Sequence, residues 1–566
     1  MQNPPASFGA VLPLVGLQLF SRLFTFALNQ VAVSIASPEV FGTASIQFDL
    51  LLSSILFLSR EGVRNALLRS DSVENNPRKS SEVPAQAQRQ LITNISLLPV
   101  FLGCPLAIIV GSVYASFASN STTSQPHFKL AMHLYVLAAV FELISEPLYI
   151  RAQNNLEVGV RVRAEGVAVV AKAVFSLLPF VLFGKLRDSG FAWEWSLVCF
   201  ALGQVAFGLS FLVVHLLHFR GIHGITFKSV PIKNGNRRSP WFNDELLRLS
   251  MIMTAQSIFK HFLTEGDRLI VSKFSALQDQ GGFALATNYG SLIARVIFQP
   301  VEETSRVYFS KVLNQDHQTS DVLPSGRPRA EKSPPANKKK AIVESMRTLG
   351  TVLSVYAHLT LLFLAFGPPC IPTLLSIVLP RQYLLTSAPR VLIAYCWYLP
   401  VMAFNGVLEA FFSATASSND LVTQSRALMA SSLLFIVSSF WLSEGLGLKE
   451  TGLVYANVLN LGARAWYAWG FTKSYYKKHG EKHHRIAQSG ESRRVVPKTG
   501  VLICSIAMGV IVRISYRTLG SPFGLLAHKI IHMAIAVSAV LFWFVVCWFN
   551  EETLVSDIRW TIFRNK

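Results

Sequence analysis

The chain has 566 residues, of which 51% are hydrophobic and only 15% charged, with a mean hydropathy of +0.40. Soluble domains carry roughly a quarter charged residues, so this composition excludes a water-solvated globular fold. The formal charge of +20 is spread over several loops, which favours membrane topology over nucleic acid as its explanation.

Apolar stretches of about 20 residues recur from Ala10 to Phe549, each able to cross a hydrocarbon core of roughly 30 Å as a helix. Barrel strands would alternate over about ten residues instead. The first stretch follows MQNPPASFGA, which has no basic n-region and no evident cleavage site before Arg22, so it reads as a retained span. An all-α polytopic membrane protein of about fourteen transmembrane helices is expected. The first seven lie near Ala10–Ala36, Thr43–Leu68, Leu91–Ala115, Leu130–Arg151, Val158–Phe183, Trp195–Phe219 and Leu246–Phe274. The others lie near Phe283–Tyr308, Met346–Phe366, Ser387–Phe412, Leu421–Leu442, Gly452–Phe471, Val501–Tyr516 and Phe523–Phe549.

Short loops rich in Lys and Arg stay cytoplasmic. Loops 69–90, 220–242, 311–341 and 472–498 with the tail 550–566 hold 27 of them, whereas the opposite loops hold few, among them Lys185, Arg187, Arg381, Lys449 and Arg517. Both termini are therefore expected in the cytosol. The sequon Asn120-Ser121-Thr122 then faces the lumen, which makes Asn120 a glycosylation candidate. Six cysteines lie mostly in apolar runs without CxxC or metal-ligand spacing and read as small hydrophobes. No metal and no cofactor is expected, and with no GxxxxGK[ST] loop no nucleotide is either.

A shift of 242 residues superposes Phe41 on Phe283, Ala44 on Ala286, Leu50 on Leu292, Ile55 on Ile297, Glu61 on Glu303 and Arg64 on Arg306. Four fewer residues in the preceding turn also bring Arg22-Leu23 onto Arg268-Leu269. Two pseudo-symmetric six-helix lobes plus two C-terminal helices follow: a lobe at 1–219, a basic cytosolic linker at 220–242, a second lobe at 243–471, a basic loop at 472–498, helices thirteen and fourteen within 499–549, and a tail at 550–566. A parallel repeat is an architecture of alternating access, with the substrate between lobes.

Ionisable residues are dense at membrane depth, where each costs roughly 2.5–3.5 kcal/mol and so faces the bundle interior or a hydrated cavity. Glu61 with Arg64 and Glu303 with Arg306 stand three residues apart, which puts acid and base on one helix face where they can neutralise each other. Arg22, Arg60 and Arg268 have no obligatory local partner in sequence, and a guanidinium fork suits phosphate oxygens. A lipid diphosphate fits that chemistry, its tail remaining in the bilayer.

The stretches GLQLFSRLFTFALNQ, FLSREGVRNALL, FELISEPLYIRAQN, LTEGDRLIVSKF and FALATNYGSLIARVIFQPVEE carry a resemblance over most of the chain. They resemble the eukaryotic dolichol-linked oligosaccharide translocation proteins known as "requiring fifty-three", of the multidrug, oligosaccharidyl-lipid and polysaccharide exporter superfamily. The resemblance implies an endoplasmic-reticulum transporter that moves Man5GlcNAc2-diphosphate-dolichol from the cytosolic to the luminal leaflet for protein N-glycosylation. It also implies a cavity lined by Arg22, Arg60, Glu61, Arg64, Glu142, Glu146, Arg268, Arg295, Glu302 and Glu303, and we add Arg306 to the substrate-binding set. We assign Arg22, Arg64 and Arg268 to the diphosphate, and the carboxylates to gating pairs or sugar hydroxyls. Expected partners are the dolichyl-diphosphate-linked oligosaccharide and membrane lipids, with no nucleic acid.

Three rivals stand beside this reading. A drug or cation antiporter on the same fold would be expected to have a net acidic site, whereas arginines accompany nearly every acid of the first, second, seventh and eighth spans. A membrane glycosyltransferase would place acids on sizeable luminal loops, and those loops are short, with few acids (Glu39, Asp188, Asp279) and no two of them neighbours in the sequence. An accessory protein that binds the lipid-linked oligosaccharide without moving it needs the same cavity, and sequence does not separate it from a flippase.

Overall fold

The computed structural model describes residues 26–27, 29–67, 85–155, 157–183, 191–220, 227–228, 241–313, 335–480 and 495–556. Among them every regular element is helical. Arg22 lies outside the described residues, as do both termini and most of each basic loop. Nine described helices are long and apolar enough to cross a membrane, among them α1 (Pro38–Leu67), α2 (Gln90–Phe117) and α3 (Phe128–Asn154). Their outward faces are apolar, with Phe101, Leu102, Ile108 and Ile109 of α2 all exposed, as expected where the solvent is hydrocarbon. The chain is a multi-pass helical membrane protein.

Contacts divide the chain into two units, one spanning Leu23–Ala284 and one carrying Leu285–Lys566. In the first, Ser37 caps α1 by accepting from the Val40 amide, and Pro38 starts it where a missing N–H is harmless. Two π-helical stretches, Thr43–Phe48 and Phe57–Glu61, interrupt α1. α3 breaks between Ile144 and Glu146, where Ser145 donates to the Glu142 carbonyl and Pro147 cannot continue the ladder. α4 (Val158–Phe183) and α5 (Phe191–His218) follow, then α6 (Asp244–Thr264) and α7 (Gly266–Phe274). Val63, Ile95, Tyr149, Ala164, Phe211 and Leu246 join these helices in one buried cluster. Gly62 of α1 meets α6 so closely that a Cβ there would come within 2.2 Å of Thr254 Oγ1.

The element at 277–313, α8, runs from Leu277 through a π-helical turn at Ala294–Phe298 to Leu313, and the contact division falls inside it. The second unit continues with α9 (Pro335–Val378), α10 (Ala388–Thr415), α11 (Ser418–Phe440) and α12 (Glu450–Gly480). α13 (Thr499–Leu519) and α14 (Leu526–Asn550) dock on α9. Hydrocarbon solvates apolar side chains as well as a protein core does, so polar ties decide that docking. Trp543 donates its indole N–H to Ser505 Oγ at 2.7 Å; Thr373 donates to the Gly520 carbonyl at 2.7 Å. Buried His532 pairs with Ser515 Oγ at 2.9 Å and the Pro369 carbonyl at 3.2 Å. All six cysteines are free, three of them buried, as small hydrophobes would be.

Candidate substrate-binding site

Arg60 and Arg64 stand four residues apart on α1, and Glu142 and Glu146 stand four apart on α3, so the two helix faces match rung for rung. Arg64 grips Glu146 with both arms of its fork, Nε on one carboxylate oxygen and Nη2 on the other at 2.6 Å. Arg60 bridges the rungs, 3.3 Å from Glu142 and 3.8 Å from Glu146. The Glu146 side chain is fully buried, while both arginine side chains keep 18% of their surface open. The Tyr149 ring receives two cations, with Arg64 4.0 Å and Arg161 5.6 Å from its centroid. Arg161 is held in turn by Glu165 at 2.8 Å. Beside Tyr149 lies buried His215, whose Nδ1 pairs with the Phe211 carbonyl at 2.8 Å while its Nε2 has no hydrogen-bond partner among the described residues.

Two expected local pairs are corrected. Glu61 does not neutralise Arg64; it accepts from Asn65 at 3.2 Å and lies 3.9 Å from Lys260. Arg64 lies in the α-helical turn that follows Glu61, at ordinary spacing, and turns instead to Glu146 on α3. In α8, Arg306 pairs with Glu302 at 2.9 Å, four residues back, and Glu303 accepts from Gln299 at 2.8 Å. Arg268, which lacks an obligatory partner in sequence, is held by Glu265 at 3.0 Å across the break between α6 and α7. Arg295 sits exposed in the α8 π-helical turn. Arg60, Arg64, Glu142 and Glu146 thus form one cluster, Glu302 and Arg306 another within the second unit.

Sequence reasoning missed Tyr149 and His215, since neither announces itself by charge. It also left Glu409 and Arg464 out of the substrate-binding set, although their spacing of 55 residues closes into a bidentate pair between α10 and α12. Glu302 leans against α10 where Gly406 leaves room, a Cβ there meeting its Oε2 at 2.8 Å. Among the described residues no cluster of His, Cys, Asp or Glu could hold a metal ion.

Helices throughout the described residues, apolar outer faces and arginine–glutamate clusters define a polytopic helical membrane protein. The fold is similar to that of a solved lipid II flippase, MurJ, in an inward closed conformation, with a TM-score of 0.56 at 13% identity over 96% of this chain and 99% of that one. The model of the Rft protein family matches residues 6–560, and the chain belongs to that family. It is 31% identical over 552 residues to a Yarrowia lipolytica protein, covering 91% of this chain and 77% of that one. It is 30% identical over 487 residues to a Candida albicans protein, covering 84% and 83%. Both relatives are described as "Man(5)GlcNAc(2)-PP-dolichol translocation protein RFT1".

Proposed function

We propose that the chain carries Man5GlcNAc2-diphosphate-dolichol from the cytosolic to the luminal leaflet of the endoplasmic-reticulum membrane for protein N-glycosylation. The relatives' description supplies the substrate. The observation that carries the reading is the arginine–glutamate ladder between α1 and α3. A diphosphate entering a low-dielectric site needs guanidinium forks to replace its water. The forks themselves must be kept neutralised until it arrives.

In this reading Arg64 is the exchangeable fork, leaving the carboxylate for a phosphate of like geometry. Glu146 is too buried to be left unpaired, which would cost several kcal/mol. Arg60, already 3.8 Å from Glu146, takes over its charge. Arg22 and Arg268 complete the diphosphate set; Arg295, Glu61, Glu302, Glu303 and Arg306 serve as gating pairs or sugar contacts as two lobes alternate in access. The protein works as a carrier rather than an enzyme, without nucleotide, and both termini face the cytosol. Asn120 is then luminal; it is exposed, while Thr122 of the sequon is buried with its hydroxyl on Gln47 at 3.1 Å, so a glycan would be added before this turn folds. A mobility shift on endoglycosidase treatment, lost in Asn120→Gln, would fix that orientation.

The deciding experiment reconstitutes the purified protein in liposomes and follows a defined dolichyl-diphosphate oligosaccharide across the bilayer. Movement by the intact protein and its loss in an Arg22→Ala, Arg64→Ala, Arg268→Ala variant is the expected result. Tight binding without movement would overturn translocation and leave the accessory role.

A further inference from the structure

Within the second unit, α10, α11 and α12 border a half-open cavity of about 250 Å³. It exists because four alanines, Ala427 and Ala430 of α11 with Ala463 and Ala468 of α12, line it where larger side chains would close it. Its surface is mostly apolar, and the Glu409–Arg464 pair forms its polar end. Nε and Nη2 of Arg464 bind Glu409 at 2.7–2.9 Å, and Nη1 makes no hydrogen bond among the described residues. A guanidinium has five N–H donors, so those on Nη1 remain for an oxygen of an occupant.

We propose that this cavity is an intramembrane lipid site, which takes the end of a hydrocarbon chain bearing an oxygen head group, the oxygen on Arg464 and the chain along α11. The wall itself leads to the bilayer. Leu434 lines the cavity and is 42% exposed, and Val437, one turn further along α11, is 67% exposed. An occupant therefore enters from hydrocarbon, not water. The pair at the polar end is neutral overall and gives no net attraction for a free ion. An apolar cavity of ~150 Å³ admits a benzene, so this one accommodates a chain segment of roughly eight to ten carbons. The chain could belong to an isoprenoid lipid or to an ordinary acyl lipid, which share this chemistry.

Full-length protein in nanodiscs is labelled either with a diazirine-bearing polyprenyl phosphate or with a diazirine-acyl phosphatidylcholine, and adducts are mapped by mass spectrometry. Adducts on peptides covering 427–434 and 463–468 are expected, falling at least fivefold in Ala463→Leu or in Ala430→Leu, whose side chains fill the space. Two variants guard against one that misfolds, and each is checked for a monodisperse elution profile. Labelling by the polyprenyl probe alone assigns the site to isoprenoid lipids; labelling by the acyl probe, alone or as well, assigns it to bilayer lipid generally. Adducts no richer there than on the exposed apolar residues of α14, or undiminished in both folded variants, would overturn the proposal.

Discussion

Replacing Glu146 with Leu should destabilise the protein more than almost any other single change in the first unit. The substitution removes two charge-assisted hydrogen bonds from Arg64 and the contact with Arg60, and strands a guanidinium whose side chain is only 18% exposed. Each such bond contributes about 1.5–3 kcal/mol, and breaking one partner of a buried pair costs about 3–5 kcal/mol. Arg64→Met should cost a similar amount, because it leaves the fully buried Glu146 carboxylate with Arg60 alone. The double variant Arg64→Met/Glu146→Leu removes both charges and should recover to within about 1–2 kcal/mol of the parent, with the Met sulfur replacing part of the contact with Tyr149. Unfolding in mixed micelles, titrated with dodecyl sulfate and followed by circular dichroism, measures the cycle. The same double variant, folded but without its exchangeable fork, should lose more than tenfold of lipid translocation in liposomes. Additive losses, or single variants within about 1 kcal/mol of the parent, would refute the assignment of this ladder as a tightly coupled buried pair.

Gly281→Ala places a Cβ 2.0 Å from the Pro38 carbonyl oxygen, a backbone atom that cannot step aside, and should cost about 1–3 kcal/mol in the same titration. Ser505→Ala orphans the buried indole N–H of Trp543 and should cost about 1–3 kcal/mol, with a shift in tryptophan emission as α14 loosens. Glu157, in the turn before α4, is held below the usual glutamate range by hydrogen bonds from His218 and Asn155. A depressed carboxylate stabilises the fold above its unfolded value and loses that contribution as pH falls through its folded value. Glu157→Gln should therefore be less stable than the parent near neutrality, the difference vanishing in acid; a difference that grows in acid would contradict the assignment.

The helical spans were legible because hydrocarbon imposes one demand, about 20 apolar residues per crossing, and composition reports it directly. The ladder was half legible: the spacing of Arg60 with Arg64 and of Glu142 with Glu146 stands in the sequence, but that the two faces meet is a property of helix packing. Local pairing failed for two separate reasons. Arg64 is taken by Glu146 of α3, and nothing local announces that contact. For Arg306, Glu302 and Glu303 are both permitted neighbours, four and three residues back, so the choice falls to the surroundings, where Gly406 makes room for Glu302. Arg268 pairs with Glu265 three residues back, a spacing that already stands in the sequence.

In the proposed topology the even-numbered spans run from lumen to cytosol, and the paired charges lie past their midpoints: Arg60 and Arg64 in Pro38–Leu67, Glu142 and Glu146 in Phe128–Asn154, Glu409 in Ala388–Thr415. At the opposite end of α1 a neutral network stands against α7, whose Arg268 pairs with Glu265. There Gln47 donates to Thr122 and to Gln280 at 2.8 Å and accepts from Tyr114 at 2.7 Å. In the proposed reading the two ends of the path differ in how their charged and neutral groups are arranged, and so in their affinity for a diphosphate. Such a difference biases where the head group rests but cannot by itself drive net movement, since a carrier shifts an equilibrium only by its differential affinity for its own states. In the proposed direction, net flow toward the lumen then needs reactions there that consume the lipid.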